Sequence, residues 1–362
     1  MTPPHCLTTL ECIKTKGIGP KKFWDILKFH NNDIERAKTF IVNNGFKIPD
    51  VSKIIKTHKK LGIQMLCFCD KRYPKSLSSI HNPPPVLFYK GNLDLLNKNT
   101  IAIVGARNAS YAGQNLSFKI AQTLAEAHDI TVVSGLAKGI DTSAHKGSFE
   151  RGCIAVVAQG LDIFYPPENT KLYKNILDNN GLILSELEAG IPPNAFSFPV
   201  RNRIIAGLSK GIVIIEAAFQ SGTLSTAKSG VEFGKDIFVV PGSPFDPRYK
   251  GSHKLIKDGA ILVENANDIV EHLNLDRHGG TCEARCDHPM DHHGASHLVM
   301  TEQQQDDDHI IFNAMIINEP ISLEELSQHL KLTPQVLLSA LTQFEIEGKI
   351  QKHPDGRFLR RT

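Results

Sequence analysis

The feature that most constrains the fold is an alternation of short apolar runs and helix-patterned segments in the middle of the chain. The apolar runs occupy residues 100–104, 130–133, 154–157, 182–185, 212–216 and 237–240. Strands that are apolar on both faces and alternate with helices are typical of a parallel sheet that helices cover on both sides. The sequence therefore predicts an α/β fold with a parallel sheet at its centre.

The segment before this core, residues 1–65, is predicted to be a small all-α domain with 12 Lys/Arg and 5 Asp/Glu, a local charge of +7. Its turn Gly17-Ile18-Gly19-Pro20 lies between two helix patterns and is flanked by Lys16, Lys21 and Lys22. Glycines let backbone N–H groups approach a phosphate closely, so the pattern resembles a helix-hairpin-helix or SAM-like DNA-contact module. A tight turn between helices with solvated lysines explains the pattern equally well.

The segment after the core, residues 306–362, shows three helix patterns and then a hairpin, which is the order of a winged helix. Ser322 and Glu325 have the spacing of a capping box, and Asp355-Gly356 is a hairpin turn pattern. The third helix pattern, 333–347, contains no Lys or Arg, whereas a helix that reads DNA normally presents cations. We therefore expect a protein-contact or regulatory role for this domain.

Residues 276–305 are rich in His, Asp, Gly and Gln and lack hydrophobic periodicity, so they are predicted to be a flexible linker. The domain expected between the two outer segments is then 66–275. Cys282, Cys286 and the linker histidines offer zinc-type ligands, but their spacing fits no standard finger. No metal site is predicted.

Composition narrows the class of protein. The 41 Lys/Arg and 38 Asp/Glu give a net charge of +3, so any nucleic-acid surface must be local. No apolar run approaches the roughly 20 residues of a membrane-spanning helix, and the N-terminus lacks a secretory pattern. Seven scattered cysteines, an odd number, do not form a disulfide framework. We expect a cytoplasmic, reduced protein without membrane insertion.

Polar and basic side chains follow the predicted strands, where ligands of parallel sheets bind. Ser221-Gly222-Thr223 precedes a helix pattern, and 134–139 repeats that arrangement; the positive end of a helix dipole favours an anion at both places. Full positive charges near the same edge come from Arg107, Lys138, Arg201 and Arg203. No nucleophile is paired with a general base, so this edge is interpreted as a binding rim without catalytic residues.

The nature of the anion follows from motifs that are missing. Gly105 is followed by Arg107 where a dinucleotide fingerprint needs its second glycine, and the chain has no Walker A loop. No cofactor is therefore predicted. Several phosphate sites along one edge suit a polymer better than a single nucleotide.

At these positions the chain resembles the DprA/Smf family. The resemblance covers roughly residues 70–275 and rests on ordered motifs: Gly105-Ala106-Arg107, SGLAKGIDTSAH at 134–145, GLDIFYPPEN at 160–169, FPVRNRIIAGLS at 198–209 and SGTLSTA at 221–227. It implies an extended Rossmann-like core that binds single-stranded DNA, forms a homodimer and hands the strand to RecA in natural transformation. It also implies a non-enzymatic protein with a SAM-like N-terminal domain and a C-terminal winged helix.

The resemblance also assigns site residues. Carried over by motif, phosphate contacts are expected from Arg107, Gly135, Lys138, Gly139, Arg201 and Arg203, with Asn202, Ser221, Gly222 and Thr223 completing the rim. Phe198 is expected to support the loop or to stack on a base. The family usually has Ser where Ala106 stands, and Ala158-Gln159 replaces a more usual Leu-Gly, which puts only the local geometry in doubt.

Plainer roles are weighed for several of these residues. For Asn202 and Arg203, the less favoured role is to cap or brace the helix that they open. Asp141 and Glu216 are interpreted as ordering the rim through hydrogen bonds, because carboxylates would repel DNA. His145 is interpreted as structural and Phe196 as part of the core.

Two other functions remain open. Nucleoside-monophosphate phosphoribohydrolases of the lysine-decarboxylase-like group have a similar sheet and a PGGxGTxxE loop, but Thr226 stands here where that motif needs its carboxylate. A winged-helix transcription regulator would prefer duplex DNA of particular sequence, and the lack of cations at 333–347 argues against it.

Overall fold

The computed structural model describes residues 4–219 and 221–275, and then 322, 325, 337, 341, 350–352 and 357–360. The chain forms two compact units, Met1–Asp287 and His288–Thr362. The predicted linker, its Cys and His residues, the Asp355-Gly356 turn and most of 333–347 lie outside the described residues.

The first unit is built on one nine-stranded sheet in the order β1-β2-β6-β5-β4-β3-β7-β8-β9. Its strands are β1 Gln64–Cys67, β2 Val86–Gly91, β3 Thr100–Gly105, β4 Thr131–Ser134, β5 Ile154–Val157, β6 Leu182–Ser185, β7 Gly211–Ile215, β8 Asp236–Val239 and β9 Ile261–Leu262. The seven strands from β6 to β9 in that order are parallel, which confirms the predicted parallel core. Because the chain leaves β3 in one direction and returns to its other side as β7, the topological switch point lies between these two strands.

The helices of this unit fill both faces of the sheet and its β1 edge. They are α1 Pro4–Lys14, α2 Pro20–Phe29, α3 Ile34–Asn43, α4 Ser52–Lys60, α5 Lys75–Ser78, α6 Tyr111–Ala127, α7 Ile140–Ser148, α8 Thr170–Asp178, α9 Ser197–Leu208, α10 Gly222–Glu232, α11 Lys250–Lys257 and α12 Ala266–His272. Two buried clusters sandwich the sheet, one on each face. Alternate residues of β3 supply both clusters, Ile101 and Ile103 to one and Ala102 and Val104 to the other. Within the described residues, no helix is long and apolar enough to span a membrane.

Three strands of the sheet, β1, β2 and β9, were not predicted. β1 and β2 pair antiparallel to each other, and β2 pairs antiparallel to β6. The Asn82-Pro83-Pro84-Pro85 run that precedes β2 marks a connection within the sheet, where Phe68 N donates to Pro85 O at 3.0 Å. Proline cannot donate to a ladder but its carbonyl can still accept, so the run closes a pair of strands rather than separating them.

The N-terminal helices pack on the sheet. α1 to α3 bury Cys12, Phe23, Leu27 and Ile41 in a cluster of their own, while the α1 residue Leu10 joins the core of the sheet. The helix pair around Gly17, which has φ +87°, is confirmed. The expected boundary between residues 65 and 66 falls inside β1, so the structure shows no break there; the domain limits otherwise stay a prediction.

One predicted helix begins earlier than expected. The helical spacing of apolar residues in the sequence predicts a helix over 202–209, whereas α9 starts at Ser197. The Asn194 carboxamide accepts hydrogen bonds from the backbone N–H groups of Phe196 and Ser197, at 3.0 and 2.9 Å. This turn nucleates the helix, and Pro199 is tolerated in its first turn because its missing N–H would have no partner there. Arg201 therefore lies within the helix.

The described part of the second unit agrees with a winged helix. Strands β10 Ile350–Lys352 and β11 Phe358–Arg360 pair antiparallel, and Leu337, Leu341, Ile350 and Phe358 are buried. The predicted capping box is present, since Ser322 N donates to Glu325 Oε2 at 2.8 Å and Glu325 N donates to Ser322 Oγ at 3.2 Å.

Candidate nucleic-acid interface

A cleft of ≈ 810 Å³ opens at the carboxyl edge of the sheet, at the switch point between β3 and β7. The loop after β3, the first turns of α9 and α10 and the loop that follows β8 form its walls. Parallel strands bind ligands at this place because the loops diverge there and helix N-termini converge on the gap. The predicted edge of the sheet is thus a real concave surface.

Arg107 lies at the mouth of this cleft, exposed, on the loop after β3. Its guanidinium is 4.9 Å from the centroid of the half-buried Phe198 ring. The Tyr165 ring lies 6.1 Å from Phe198, centroid to centroid. A cation and a second aromatic ring next to the Phe198 ring make a surface that suits a phosphate beside a base.

Gly139 fixes the position of the Arg107 loop. It has φ +75°, and a Cβ on it would lie 2.3 Å from Ala106 O and 2.6 Å from Arg107 O. Ile140 N donates to Ala106 O at 3.2 Å, so the start of α7 grips this loop. Only glycine allows both the backbone conformation and this approach. Gly139 therefore contributes to the site by fixing the position of the loop that carries Arg107.

Arg201 requires a correction, because it was expected on the exposed rim. Its side chain is buried, with 5% of the residue exposed, and its Nη1 donates to Gly135 O at 2.6 Å and also to Val156 O. Burial lowers the pKa of Arg201 to about 10, so the guanidinium stays charged near neutral pH. It ties the 134–139 loop to α9 and also lines the cleft, and its contact with a phosphate stays a prediction.

Gly135 belongs to the same buried network rather than to the rim. Its N–H donates to Asp141 Oδ2 at 3.0 Å, and a Cβ on it would lie 2.1 Å from Arg201 Nη1. Asp141 is buried, and burial raises its pKa while the Arg201 charge lowers it. Both backbone polar groups of Gly135 therefore already have partners in the protein, and its predicted contact with a phosphate stays a prediction. Asp141 orders the rim, as expected.

Arg203 is held in an ion pair. Its Nη2 reaches both carboxylate oxygens of Glu186 at 2.6 Å, with both side chains mostly buried. Burial raises the pKa of Glu186, and the Arg203 charge opposes that rise. This ion pair agrees with the bracing role for Arg203, and its contact with a phosphate stays a prediction.

Asn202 also acts as a brace, although it lines the cleft. Its Nδ2 donates to Ser225 Oγ at 2.8 Å and to Gly222 O at 3.3 Å, which ties α9 to α10. Lys138, by contrast, is exposed, and its Nζ lies 2.5 Å from Glu168 Oε1 in a surface ion pair. Such pairs contribute little in water, so a phosphate can compete for this lysine.

The start of α10 presents the clearest anion site of the cleft. A Cβ on Gly222 would meet nothing within 4 Å, so the backbone there is open to a ligand. Thr223 Oγ1 donates to Gly105 O at 3.0 Å and joins this turn to β3. The Ser221 hydroxyl has no hydrogen-bond partner among the described residues. The positive end of the helix dipole adds to these features.

Sequence reasoning missed a basic residue of the cleft. Arg248 follows β8, lines the cleft and pairs with Asp246 through its Nη2 and Asp246 Oδ2 at 2.6 Å. No motif pointed to it; only its place after a parallel strand could have done so. Glu216 was expected to order the rim, and its carboxylate accepts from Ser110 N at 2.8 Å and from the Tyr249 hydroxyl at 3.2 Å.

Two other interpretations are resolved by burial. Phe196 was interpreted as core, but 86% of it is exposed because the Asn194 turn projects it from the start of α9. His145 is structural, as expected: it is fully buried with Nδ1 3.2 Å from Cys153 Sγ, and burial lowers its pKa to about 3. It is therefore neutral.

Comparison with known proteins decides the family. A model of the DNA recombination-mediator protein A family matches residues 64–274, which is more than half of the chain. The chain belongs to this family, DprA/Smf. A model of the DprA winged helix domain matches residues 300–356, in agreement with the β10–β11 pair.

Two curated DprA/Smf relatives illustrate the match. DNA processing protein DprA of Streptococcus pneumoniae is 45% identical over 268 residues, which are 73% of this chain and 93% of the relative. Protein Smf of Escherichia coli is 40% identical over 208 residues, covering 57% of this chain and 55% of Smf.

Solved DprA structures have the same fold. DprA from Streptococcus pneumoniae matches with TM-score 0.64 at 35% identity and covers 75% of this chain and 98% of its own. DprA from Helicobacter pylori, whose structure is described as showing a unique single-stranded DNA binding mode, matches with TM-score 0.53 at 30% identity and covers 60% and 97%.

Proposed function

We propose that this DprA/Smf protein binds single-stranded DNA in the cleft between β3 and β7. The observation that carries the proposal is the Arg107–Phe198–Tyr165 array at the cleft mouth, where a cation and two aromatic rings lie side by side. The described binding mode of the Helicobacter pylori relative supports the same ligand class.

The phosphates are assigned to two exposed cations, one half-buried cation and one helix end. Arg107, Lys138 and Arg248 supply charge, and the start of α10 at Gly222 supplies backbone N–H groups. Arg201, Arg203 and Asn202 hold the loops that carry these groups. Contacts are thus divided between residues that meet the strand and residues that position them.

The bases are assigned to exposed aromatic side chains around the cleft. Tyr111, Phe196, Phe219 and Phe245 are all exposed, and each lies within two residues of one that lines the cleft. Large exposed apolar side chains cost free energy in water unless a partner covers them. Stacking suits every base equally, so such a surface binds single strands without reading their sequence.

The test is fluorescence anisotropy with single-stranded and duplex oligonucleotides of one sequence over a salt series. We expect preference for the single strand, because paired bases cannot reach the aromatic side chains. With three cations engaged, log K should fall with log salt with a slope of about −2, at roughly 0.7 per phosphate. Equal or better duplex binding would move the activity to the outer domains, and release of free base from nucleoside monophosphates would favour a hydrolase.

Phe245→Ala tests the stacking surface. Phe245 is 95% exposed, so its removal should leave stability unchanged while weakening single-strand binding at least about fivefold, or about 1 kcal/mol per lost stack. Phe29→Ala is the matched control, since Phe29 is an exposed phenylalanine on α2. Titrations of both variants decide: a loss only with Phe29→Ala would move the base contacts to the N-terminal helices.

The partner proposals rest on family membership. We propose that the protein is a non-enzymatic cytoplasmic homodimer that promotes RecA loading in transformation and recombination. Light scattering of the full chain tests the dimer, and strand exchange by RecA on oligonucleotides bound by this protein tests the loading. A monomer, or strand exchange slower than with RecA alone, would contradict these proposals.

A further inference from the structure

Three cysteine thiols meet where α1 packs on the edge strand β1. Cys67 ends β1, Cys69 follows in the turn, and their Sγ atoms are 2.8 Å apart. The Cys6 thiol of α1 is within hydrogen-bonding reach of both. We call Cys6, Cys67 and Cys69 the three-thiol cluster. Sequence spacing could not reveal it, because Cys6 is distant along the chain.

The three thiols differ in their access to solvent. Cys6 and Cys67 are buried, whereas Cys69 is exposed. The backbone turn after β1 is tight, because Asp70 N donates to Cys67 O at 2.9 Å. This turn brings the Cys67 and Cys69 side chains to the same side. A small oxidant can therefore reach the Cys69 sulfur, which is in contact with the buried Cys67 sulfur.

The proton distribution in the cluster matches this difference in access. Hydrogen bonds from the Cys6 and Cys67 thiols lower the pKa of Cys69. Hydrogen bonds to Cys6 and Cys69, together with burial, raise the pKa of Cys67. The lowered pKa favours the thiolate at the exposed sulfur, and the thiolate is the form that reacts with oxidants.

A metal site does not explain the cluster. Over 4–219 and 221–275, no group of three or more His, Cys, Asp or Glu side chains is arranged to hold a metal ion. The remaining cysteines of that range are buried elsewhere, Cys12 among the N-terminal helices and Cys153 beside His145. Redox chemistry among the three thiols is the use that their arrangement fits.

We propose that the three-thiol cluster is a reversible oxidation site, where a peroxide oxidises Cys69 and Cys67 then closes a Cys67–Cys69 disulfide. The Cys69 thiolate attacks one peroxide oxygen, the O–O bond breaks, and a sulfenic acid and hydroxide form. The Cys67 sulfur next attacks the Cys69 sulfur, the S–O bond breaks, and the leaving hydroxide takes the Cys67 proton as water. Overall, two thiols and one hydrogen peroxide give one disulfide and two waters.

Cys67 is chosen over Cys6 because it needs no movement of a helix. A disulfide requires the two Cα atoms within roughly 4.4–6.8 Å. Cys67 and Cys69 are two residues apart in one turn, and their sulfur atoms are already in contact. Cys6 belongs to α1, and the α1 residue Leu10 is buried in the core of the sheet. Cytosolic disulfides of this kind are usually transient and serve redox sensing, so the protein can be reduced in its resting state.

The experiment uses the full chain with Cys282→Ser and Cys286→Ser, which removes the cysteines outside the described residues. After hydrogen peroxide, free thiols are blocked with N-ethylmaleimide and the chain is cut after lysine. Residues 61–71 form one peptide that contains both Cys67 and Cys69. We expect this peptide to lose two hydrogens and resist alkylation, to recover with dithiothreitol, and to react at least roughly tenfold faster than Cys153.

Variants separate the roles of the three thiols. Cys69→Ser should abolish the disulfide, and Cys6→Ser should leave its formation intact. A cross-link from Cys6 to residues 61–71, or sulfinic acid at Cys69 without a disulfide, would overturn the proposal. If a variant fails to fold, peptide mapping of the parent chain still decides, because an unchanged 61–71 peptide after peroxide contradicts the proposal directly.

Discussion

Arg201→Ala is expected to lower the free energy of unfolding by about 3–5 kcal/mol, because it leaves two buried acceptors without a donor, at roughly 1–3 kcal/mol each, and removes a buried cation near a buried carboxyl group. The change leaves the carbonyls of Gly135 and Val156 without their donor and leaves Asp141 buried without the positive charge that lowers its pKa. Urea denaturation followed by circular dichroism measures the loss. Arg151→Ala is the matched control, because Arg151 is exposed, and it should change stability by less than about 0.5 kcal/mol.

The same variant has a pH dependence of known sign. Burial already raises the pKa of Asp141 in the folded protein, and loss of the Arg201 charge raises it further. A carboxyl group whose folded pKa lies above its unfolded value binds more protons in the folded state, so stability falls as pH rises through that range. The deficit of Arg201→Ala should therefore be smaller at acidic than at neutral pH. An equal deficit at both would show that Asp141 is not the stranded charge.

Arg107→Glu should weaken single-strand binding roughly 100-fold at low salt, with the fold of the protein unchanged. The substitution removes a phosphate contact and its cation–π partner and places a like charge in the path of the strand. Anisotropy titrations across a salt series measure both the affinity and the slope, which should become shallower by at least about 0.7.

Arg151→Glu is the control for Arg107→Glu, because it makes the same charge change just before β5, at the opposite edge of the sheet. It should reduce affinity only slightly, through the net charge. If both reversals weakened binding equally, the long-range field of the protein, and not the cleft, would account for the affinity.

The two arginines are expected to have different roles: Arg107 contacts DNA, whereas Arg201 positions a loop. Their substitutions should therefore be detected by different measurements. Arg107 is exposed on a loop, so its loss should affect binding alone. Arg201 is buried under the 134–139 loop, so its loss should affect stability first and binding through the loop. A variant series that included only binding measurements would merge these two causes.

The sequence by itself determined the parallel core, the order of its strands and helices, and which loops follow the strands. These features depend on apolar periodicity and local turn chemistry, which neighbouring residues set. The capping box of Ser322 and Glu325 was readable for the same reason. The family could also be recognised, because its motifs stand at fixed spacing on those loops.

Only the tertiary structure decided what individual side chains do. Arg201 donates to a carbonyl 66 residues away, and Arg203 pairs with Glu186 on a different strand end, so both basic residues of one motif turn inward. Phe196 points outward, and Cys6 meets Cys67 and Cys69 across most of the N-terminal segment. Burial and pairing arise from contacts between segments that are distant in sequence. The sequence pattern therefore does not predict which group a given charged side chain or thiol contacts.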